Sequence, residues 1–396
     1  MSAPLPIAEA LALVLEHVQP LGVEDVALDE AAGRVLAEPA AAAVDLPSFA
    51  ASAMDGFALR SADAPASLRV VARIAAGRPA ERRLEPGEAM AIATGGVVPD
   101  GADAVVPIEE AEERDGVVVV RAAVEPGANV RARGGDLREG ATVVAEGVRL
   151  GPVHLGALAA AGVTRVRCST PPRVVLAVTG SELRPPGEPL ERGQIYDANG
   201  AILATQIRST GATVERLPPV QDDPQATREA IARGLEADVL VTSGGVSVGV
   251  LDLVRQTEAE LGVEEVFWQV AVRPGKPVAF GVRGRALVFG LPGNPVSSLV
   301  GFELFVRPAL LALQRASEPG PVFRPGRLGR PVRMLAGRDS LLRSRVRLTG
   351  EDVVLEPLSG QESHMIARAA TADALVLVPR GEGELDAGSP VRYLSL

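Results

Sequence analysis

The stretch Asp238–Asp252 reads DVLVTSGGVSVGVLD. Val239, Leu240 and Val241 form a short apolar run suited to a buried strand. The run stops at Thr242-Ser243-Gly244-Gly245, Ser247-Val248-Gly249 follows, and a helical pattern starts at Val250. Paired glycines reach backbone conformations closed to other residues and let bare N–H groups approach an anion. Strand, Gly/Ser loop and helix start, in that order, make a seat for phosphate. An ordinary strand-to-helix turn has the same composition, so this loop alone does not decide the chemistry.

The flanking sequence repeats the arrangement. Val174–Val178 reads as a buried strand that runs into Thr179-Gly180-Ser181-Glu182. Asp197 is placed to cap a helix reaching about Ser209, which Gly211 ends, and Thr213–Leu217 is the next strand. Asp222-Asp223-Pro224 opens another helix, with Asp223 at the cap before a first-turn proline. After the helix that contains Asp252 comes the run Val263–Val272, then the rigid basic loop Arg273-Pro274-Gly275-Lys276-Pro277. Ala286–Phe289 reads as the last strand. It ends in Gly290-Leu291-Pro292-Gly293-Asn294-Pro295, followed by a helix with Val296, Ser297 and Ser298 in its first turn. The carboxyl ends of the strands in an open parallel sheet gather on one edge, where ligands bind. The loops at 179–182, 242–249 and 291–298 therefore predict one multi-loop anion site, with Arg273 and Lys276 adding positive charge. Neither GxGxxG nor GxxxxGK[ST] occurs in this segment.

The chain has 396 residues, too many for one core, so several domains are expected. Its net charge of −10 argues against nucleic acid or an anionic membrane as the main partner. An anionic ligand must then be held by local features. Cys168 is the sole cysteine, which excludes an internal disulfide and a cysteine-based zinc site. With no leader pattern and no uncharged stretch long enough to span a bilayer, a cytoplasmic protein is expected.

Four units are expected: residues 1–41 with 141–171, a β-rich insert over 42–140, an α/β domain over 172–317, and a small β domain over 318–396. Spacing predicts an amphipathic helix over residues 5–19, and the alanine-rich Ala31–Val44 a helix and connector. In the insert, Asp55-Gly56 reads as a turn and Asp115-Gly116 as a hairpin. Thr94-Gly95-Gly96 follows a strand, and Asp136 follows two glycines in RARGGDLREG. Glu318–Gly329 reads as a Pro/Gly linker, and Gly360–Met365 (GQESHM) as a loop of the last domain. No second histidine, cysteine or carboxylate pair adjoins His364, which argues against a metal-ligand role there.

DLPSFAASAMDGFA, AIATGGVVPDGADAVVP, RARGGDLREG, VTGSEL, GQIYDAN, VTSGGVSVGVLD, RPGKP and FGLPGNPVSS occur in this order. Together they resemble the molybdopterin molybdenumtransferase family, the MoeA and gephyrin E-domain type, over nearly the whole chain. The resemblance implies a multidomain α/β fold with a parallel-sheet molybdopterin-binding domain, in elongated subunits that form a homodimer. It implies an enzyme that takes adenylylated molybdopterin and molybdate, cleaves the adenylate, and releases AMP and molybdenum cofactor. Contact with the adenylyltransferase that supplies the substrate is also implied. Matched by motif, the active-site positions are Asp55, Thr94, Asp136, Glu182, Asp222 and Asp252, with Asp136, Glu182 and Asp252 holding magnesium. Carboxylates are the hard oxygen ligands this ion prefers, and it neutralises charge on phosphoryl oxygens. Thr179, Gly180, Ser181, Ser243, Gly244, Gly245, Ser247, Arg273, Pro292, Gly293, Asn294 and Pro295 would hold the pterin substrate. Lys276, Ser297, Arg338 and Ser363 would contact molybdate, two cations and two hydroxyls for a tetrahedral oxyanion. Some members carry lysine at both Gln269 and Arg273, so a lysine-dependent contact at Gln269 is lost here.

Two other readings stay open. A molybdopterin adenylyltransferase resembles residues 172–315, but has no need of the insert or the final domain. A gephyrin-like scaffold would not need the carboxylates that this chain retains.

Overall fold

The computed structural model describes residues 3–245 and 253–396; Ser247 and Asp252, both expected at the site, lie outside the described residues. α1 (Ile7–Glu16) buries Ala10 and Val14, which helical spacing brings to one face. Both join the core of the α/β sheet described below, not the residues around 141–171. Leu5 ties this end to the same sheet, donating its N–H to Gln269 O and accepting from Ala271 N. Val23–Ala27 instead pairs antiparallel with Arg165–Ser169. With α2 (Pro152–Ala160), these strands enclose a separate small core that includes Leu36, Leu150, Leu158 and Cys168.

No helix forms over Ala31–Val44, contrary to expectation. Gly33 turns the chain at φ +75°. The N–H groups of Gly33, Leu36 and Ala42 donate to Leu150, Val148 and Ala141 carbonyls at 2.8–3.0 Å. Long-range pairing thus claims the backbone groups that alanine's helix propensity would have used locally.

The insert contains β1 (Gly56–Leu59), β2 (Ala66–Ile74), β3 (Glu88–Ile92), β4 (Ala104–Pro107), β5 (Ala111–Arg114) and β6 (Val117–Val120). They form one six-stranded sheet in the order β4-β1-β3-β2-β6-β5. Asp115 (φ 49°) and Gly116 (φ 76°) make the tight β5–β6 hairpin, as the dipeptide predicts. Asp55-Gly56 is not the expected turn: Gly56 opens β1 and pairs with Ile92 on one side and Pro107 on the other. A Cβ at Gly56 would stand 2.0 Å from Val106 O, so close backbone approach demands glycine there. Asp55 is thereby held at the end of a central strand.

The α/β region has strands β7 (Arg173–Val178), β8 (Thr213–Arg216), β9 (Val239–Ser243), β10 (Glu264–Trp268), β11 (Ala279–Arg283) and β12 (Ala286–Leu291). Their order is β8-β7-β9-β12-β11-β10. The first four run parallel, while β11 is antiparallel to both neighbours. β11 is an addition to the expected parallel sheet, formed by a hairpin into β12 at Gly284. The run Val263–Val272 is broken at Gln269, a non-glycine residue at φ 102°. Helices α3 (Ala198–Ser209), α4 (Pro224–Gly234) and α5 (Leu253–Glu260) cover the sheet. Both predicted caps form: Asp197 accepts from Gly200 N and Asp223 from Ala226 N.

Strand periodicity sorts the layers. Val174, Leu176 and Val178 share one cluster with Leu203 and Ile207 of α3, whereas Val175 packs with Ile231 of α4 and Val254 of α5. The last helical run of the α/β region consists of α6 (Pro295–Gly301), a π turn (Phe302–Val306) and α7 (Arg307–Leu313). Its mean hydropathy of 1.6 would suit a membrane, yet 72% of that window is buried against the protein. It is a core helix.

β13 (Arg324–Leu328), β14 (Asp339–Thr349), β15 (Asp352–Pro357), β16 (Ala374–Val378) and β17 (Pro390–Ser395) make the C-terminal sheet. It closes on itself through the pairings β14-β15-β13-β17-β16-β14. β13 falls inside the expected linker, because pairing with strands on both sides outweighs its Pro/Gly composition. Val272–Arg273 adds a short parallel strand to β14, joining the α/β region to this ring.

Two glycines give the fold a direct test. Gly56→Ala forces β1 away from β4 and is expected to cost about 1–3 kcal/mol, as overpacking does. Gly156→Ala in α2, where a Cβ meets nothing within 4 Å, is expected to stabilise by roughly 0.4–1 kcal/mol. Thermal unfolding should lower the transition for the first and raise it for the second. Equal transitions would contradict the close β1–β4 approach.

Candidate functional site

Parallel register places Val178 opposite Ser243, and Ser243 opposite Leu291. The chain therefore leaves β7, β9 and β12 at one level. The loops that follow surround a cleft of about 710 Å³ at the carboxyl edge of the sheet. Of the residues expected to hold substrate, Thr179, Gly180, Ser243, Gly244, Gly245, Pro292, Gly293, Asn294 and Pro295 line it, as do the expected catalytic residues Glu182 and Asp222.

The loops are stitched together through backbone groups. Thr179 N–H donates to Ser243 O at 2.9 Å, and Gly244 N–H to Leu291 O at 3.1 Å. Gly244 sits at φ +96°, and a Cβ there would stand 2.6 Å from Thr179 O. Only glycine allows the central loop to lie this close to the first. Ser181 and Asp222 clasp the first loop to the α4 entrance: Ser181 N–H donates to Asp222 Oδ2 at 3.0 Å, and Asp222 N–H to Ser181 Oγ at 2.9 Å.

Ser243 has an internal role. It is fully buried; its hydroxyl accepts from Asn199 Nδ2 at 2.9 Å and donates to Pro292 O at 3.1 Å. Asn199 Nδ2 also donates to Gly293 O at 2.7 Å, and Ser298 Oγ to Pro292 O. Asn199 and Ser298 were not among the expected site residues. The signal for Asn199 was the Asp197 cap, which sets Asn199 in the first turn of α3 facing the strand ends. Among the described residues Thr179 Oγ1 and Asn199 Oδ1 are buried without a hydrogen-bond partner, which marks the cleft wall as polar.

Arg273, Lys276, Ser297, Arg338 and Ser363, expected to bind substrate or molybdate, do not themselves line the cleft, although chain neighbours of several of them do. Lys276 precedes Pro277, and Ser363 precedes His364; both Pro277 and His364 line the wall. Ser363 O accepts the N–H of Val296 at the start of α6, next to Ser297. A Cβ on Gly275 would stand 3.4 Å from Ser297 O, so the Lys276 loop abuts the same helix start. Arg338 directly precedes Asp339, which pairs with Val272 at the entrance to the basic loop. Chain pairing thus brings the C-terminal segments that carry Arg338 and Ser363, far away in sequence, to the basic loop and to the start of α6 respectively. Lys276 is the single lysine among 40 Lys and Arg residues, a signal present in the sequence but not singled out from it.

Asp55, Thr94 and Asp136 do not line this cleft. Asp55 Oδ1 accepts from Thr94 N at 2.6 Å and from Thr94 Oγ1 at 3.0 Å. These two donors hold the exposed Asp55 carboxyl below the usual aspartate range. Asp136 is exposed, its N–H donating to Leu46 O.

Among the described residues no group of three or more His, Cys, Asp or Glu side chains is gathered as for a metal. The Glu182 carboxylate is exposed at the cleft and takes no hydrogen bond from them. Of the three carboxylates expected to hold magnesium, Glu182 is at the cleft, Asp136 is not, and Asp252 lies outside the described residues. A single open carboxylate suits magnesium, which keeps waters and takes one or two carboxylates together with substrate phosphates. It does not resemble a preformed cage.

Residues 5–162 match the family described as MoeA N-terminal region (domain I and II), residues 175–312 the probable molybdopterin binding domain, and residues 325–396 the MoeA C-terminal region (domain IV). The crystal structure of a molybdopterin biosynthesis MoeA protein from Pyrococcus horikoshii superimposes with a TM-score of 0.80 at 32% identity, covering 99% of each chain. The molybdopterin molybdenumtransferase of Haemophilus influenzae is 32% identical over 98% of this chain and 97% of its own length. That of Synechococcus elongatus is 36% identical over 99% of this chain and 100% of its own length. With its three regions matched in order and its relatives aligned end to end, the chain belongs to the molybdopterin molybdenumtransferase family.

Proposed function

We propose that this enzyme transfers molybdenum from molybdate into adenylylated molybdopterin, with cleavage of the adenylate and release of AMP. The convergence of three strand-end loops on one cleft, beside a basic loop whose Lys276 has no ion-pair partner among the described residues, carries this reading. Glycine backbones and the start of α6 suit phosphate, and the cations suit a second oxyanion beside it. Lys276, Ser297, Arg338 and Ser363 would receive molybdate, while the 179–182, 243–245 and 292–295 loops would hold the pterin and its phosphates.

Cleavage adds water to a phosphorus as the bridging P–O bond of the pyrophosphate breaks, and AMP leaves. Magnesium, held by Glu182 with Asp136 and Asp252, would neutralise charge on the phosphoryl oxygens. Asp222 keeps the Ser181 loop in place, and ionised Asp55 would orient the attacking water. Asp55, Thr94 and Asp136 sit on the insert, away from the cleft of their own chain. We therefore propose a two-fold homodimer in which the insert of one subunit completes the cleft of its partner. The substrate would come by contact with an adenylyltransferase, in the cytoplasm. Retained carboxylates and loops favour catalysis over a scaffold role.

The decisive measurement is AMP release from adenylylated molybdopterin with increasing molybdate. AMP release should depend on the oxyanion, whereas ATP-dependent adenylylation instead would favour the adenylyltransferase reading. Lys276→Arg replaces a compact point charge by a planar fork. It should weaken the molybdate response about tenfold, the size of one charge-assisted contact.

A second measurement follows the acid side of the pH–rate profile. Asp55 is active when ionised, and its donors depress its pKa, so activity should persist to lower pH than a free aspartate allows. Thr94→Val removes the hydroxyl donor, raises the Asp55 pKa, and should move the acid limb to higher pH. An unmoved limb would take Asp55 out of the rate-determining ionisation.

The composite site is tested by mixing. Asp55→Ala and Glu182→Ala chains should each be inactive alone, yet regain activity when subunits exchange, because one site of each mixed dimer receives both intact parts. Absence of recovery in demonstrated heterodimers would place the whole site within one chain.

A further inference from the structure

Arg343 occupies a strand position on β14 with 1% of its surface exposed. A buried cation is costly, and a leucine or methionine would fill this place more cheaply. What the guanidinium gains there is a set of carbonyls. Nη1 donates to Met365 O at 2.5 Å, and Nη2 to Gly360 O at 2.7 Å and Glu362 O at 3.1 Å. All three belong to one loop. Gln361 of the same loop clasps the Arg343 backbone in return: its Oε1 accepts Arg343 N–H at 3.1 Å, and its Nε2 donates to Arg343 O at 2.9 Å.

The loop held this way leaves its own sheet and meets the α/β region. Ser363 O accepts Val296 N–H at 3.1 Å, and His364 and Ile366 line the cleft. A planar fork with several fixed donors can hold spread carbonyls in one arrangement, which an apolar side chain cannot.

We infer that Arg343 is a positioning residue: it sets the Gly360–Met365 loop against the start of α6 and so places Ser363 and His364 at the cleft. The inference rests on the reading, given above, that molybdate binds beside Ser297 and Ser363. Arg343 itself touches no substrate. Its loss should therefore act on affinity for the oxyanion and leave the adenylate-cleaving groups in place.

The test uses the full-length chain with Arg343→Met, Arg343→Lys and Gln361→Ala, titrated with molybdate calorimetrically and assayed for AMP release. Hydrogen exchange of residues 360–366 reports the loop itself. Arg343→Met should weaken molybdate binding at least tenfold, raise KM for molybdate with kcat within twofold, and speed exchange in the loop. Arg343→Lys keeps a charge and donors and should recover part of the affinity. A folded Arg343→Met protein that binds molybdate within twofold of wild type would overturn the inference. If Arg343→Met does not fold, Gln361→Ala decides: about threefold weaker binding supports the positioning role, and unchanged binding overturns it. Wild-type protein that binds no molybdate would overturn the reading of the site, and this inference with it.

Discussion

The site depends on the register of three adjacent parallel strands. With Val178, Ser243 and Leu291 level, each strand releases its loop at the same height. A shift of one strand by a single residue would turn its side chains to the opposite face and carry its loop out of line. The register is secured on both faces of the sheet. Val174, Leu176 and Val178 point into one helical layer and Val175 into the other. Burial on both sides thus fixes geometry at the edge, where polar groups with few apolar contacts could not fix it themselves.

Charge is arranged against the overall balance of the protein. A chain of net charge −10 must bind anions through local geometry. The features open to that use are the backbone N–H groups of the strand-end loops, a helix start and, in the loop that reaches the cleft at Pro277, Lys276, which no carboxylate neutralises among the described residues. Carboxylates are treated differently from place to place. Asp197 is buried and spent on a helix cap and on Arg216, whereas Glu182 is left open at the cleft. One chain thereby supplies both structural and available acid groups, distinguished by their partners and not by residue type.

The same division explains what could be read early. The βαβ pattern, both aspartate caps and the Asp115-Gly116 hairpin were legible because each is a local rule, decided within a few residues. The alanine-rich Ala31–Val44 segment misled for the converse reason: its backbone groups pair with residues of the distant 141–167 stretch. Arg324–Leu328 looked like a linker because pairing partners on both sides are invisible in composition. Asp55-Gly56 had the turn signature, yet the glycine answers to the carbonyl of Val106 across the sheet.

The sequence by itself determined the class of the fold, the three loops and the kinds of chemical groups they carry. Those follow from periodicity and from the glycine, serine and acidic residues written next to one another. Only the tertiary structure decided which of these groups face the cleft. It turned Ser243 inward to hold loops together, brought Asn199 to join it, and drew Ser363 onto α6 through Arg343. It also left Asp55 and Thr94 on a different sheet from the cleft. The physical reason is that side-chain hydrogen bonds and close packing act between distant parts of the chain, and no local pattern encodes which distant part will arrive.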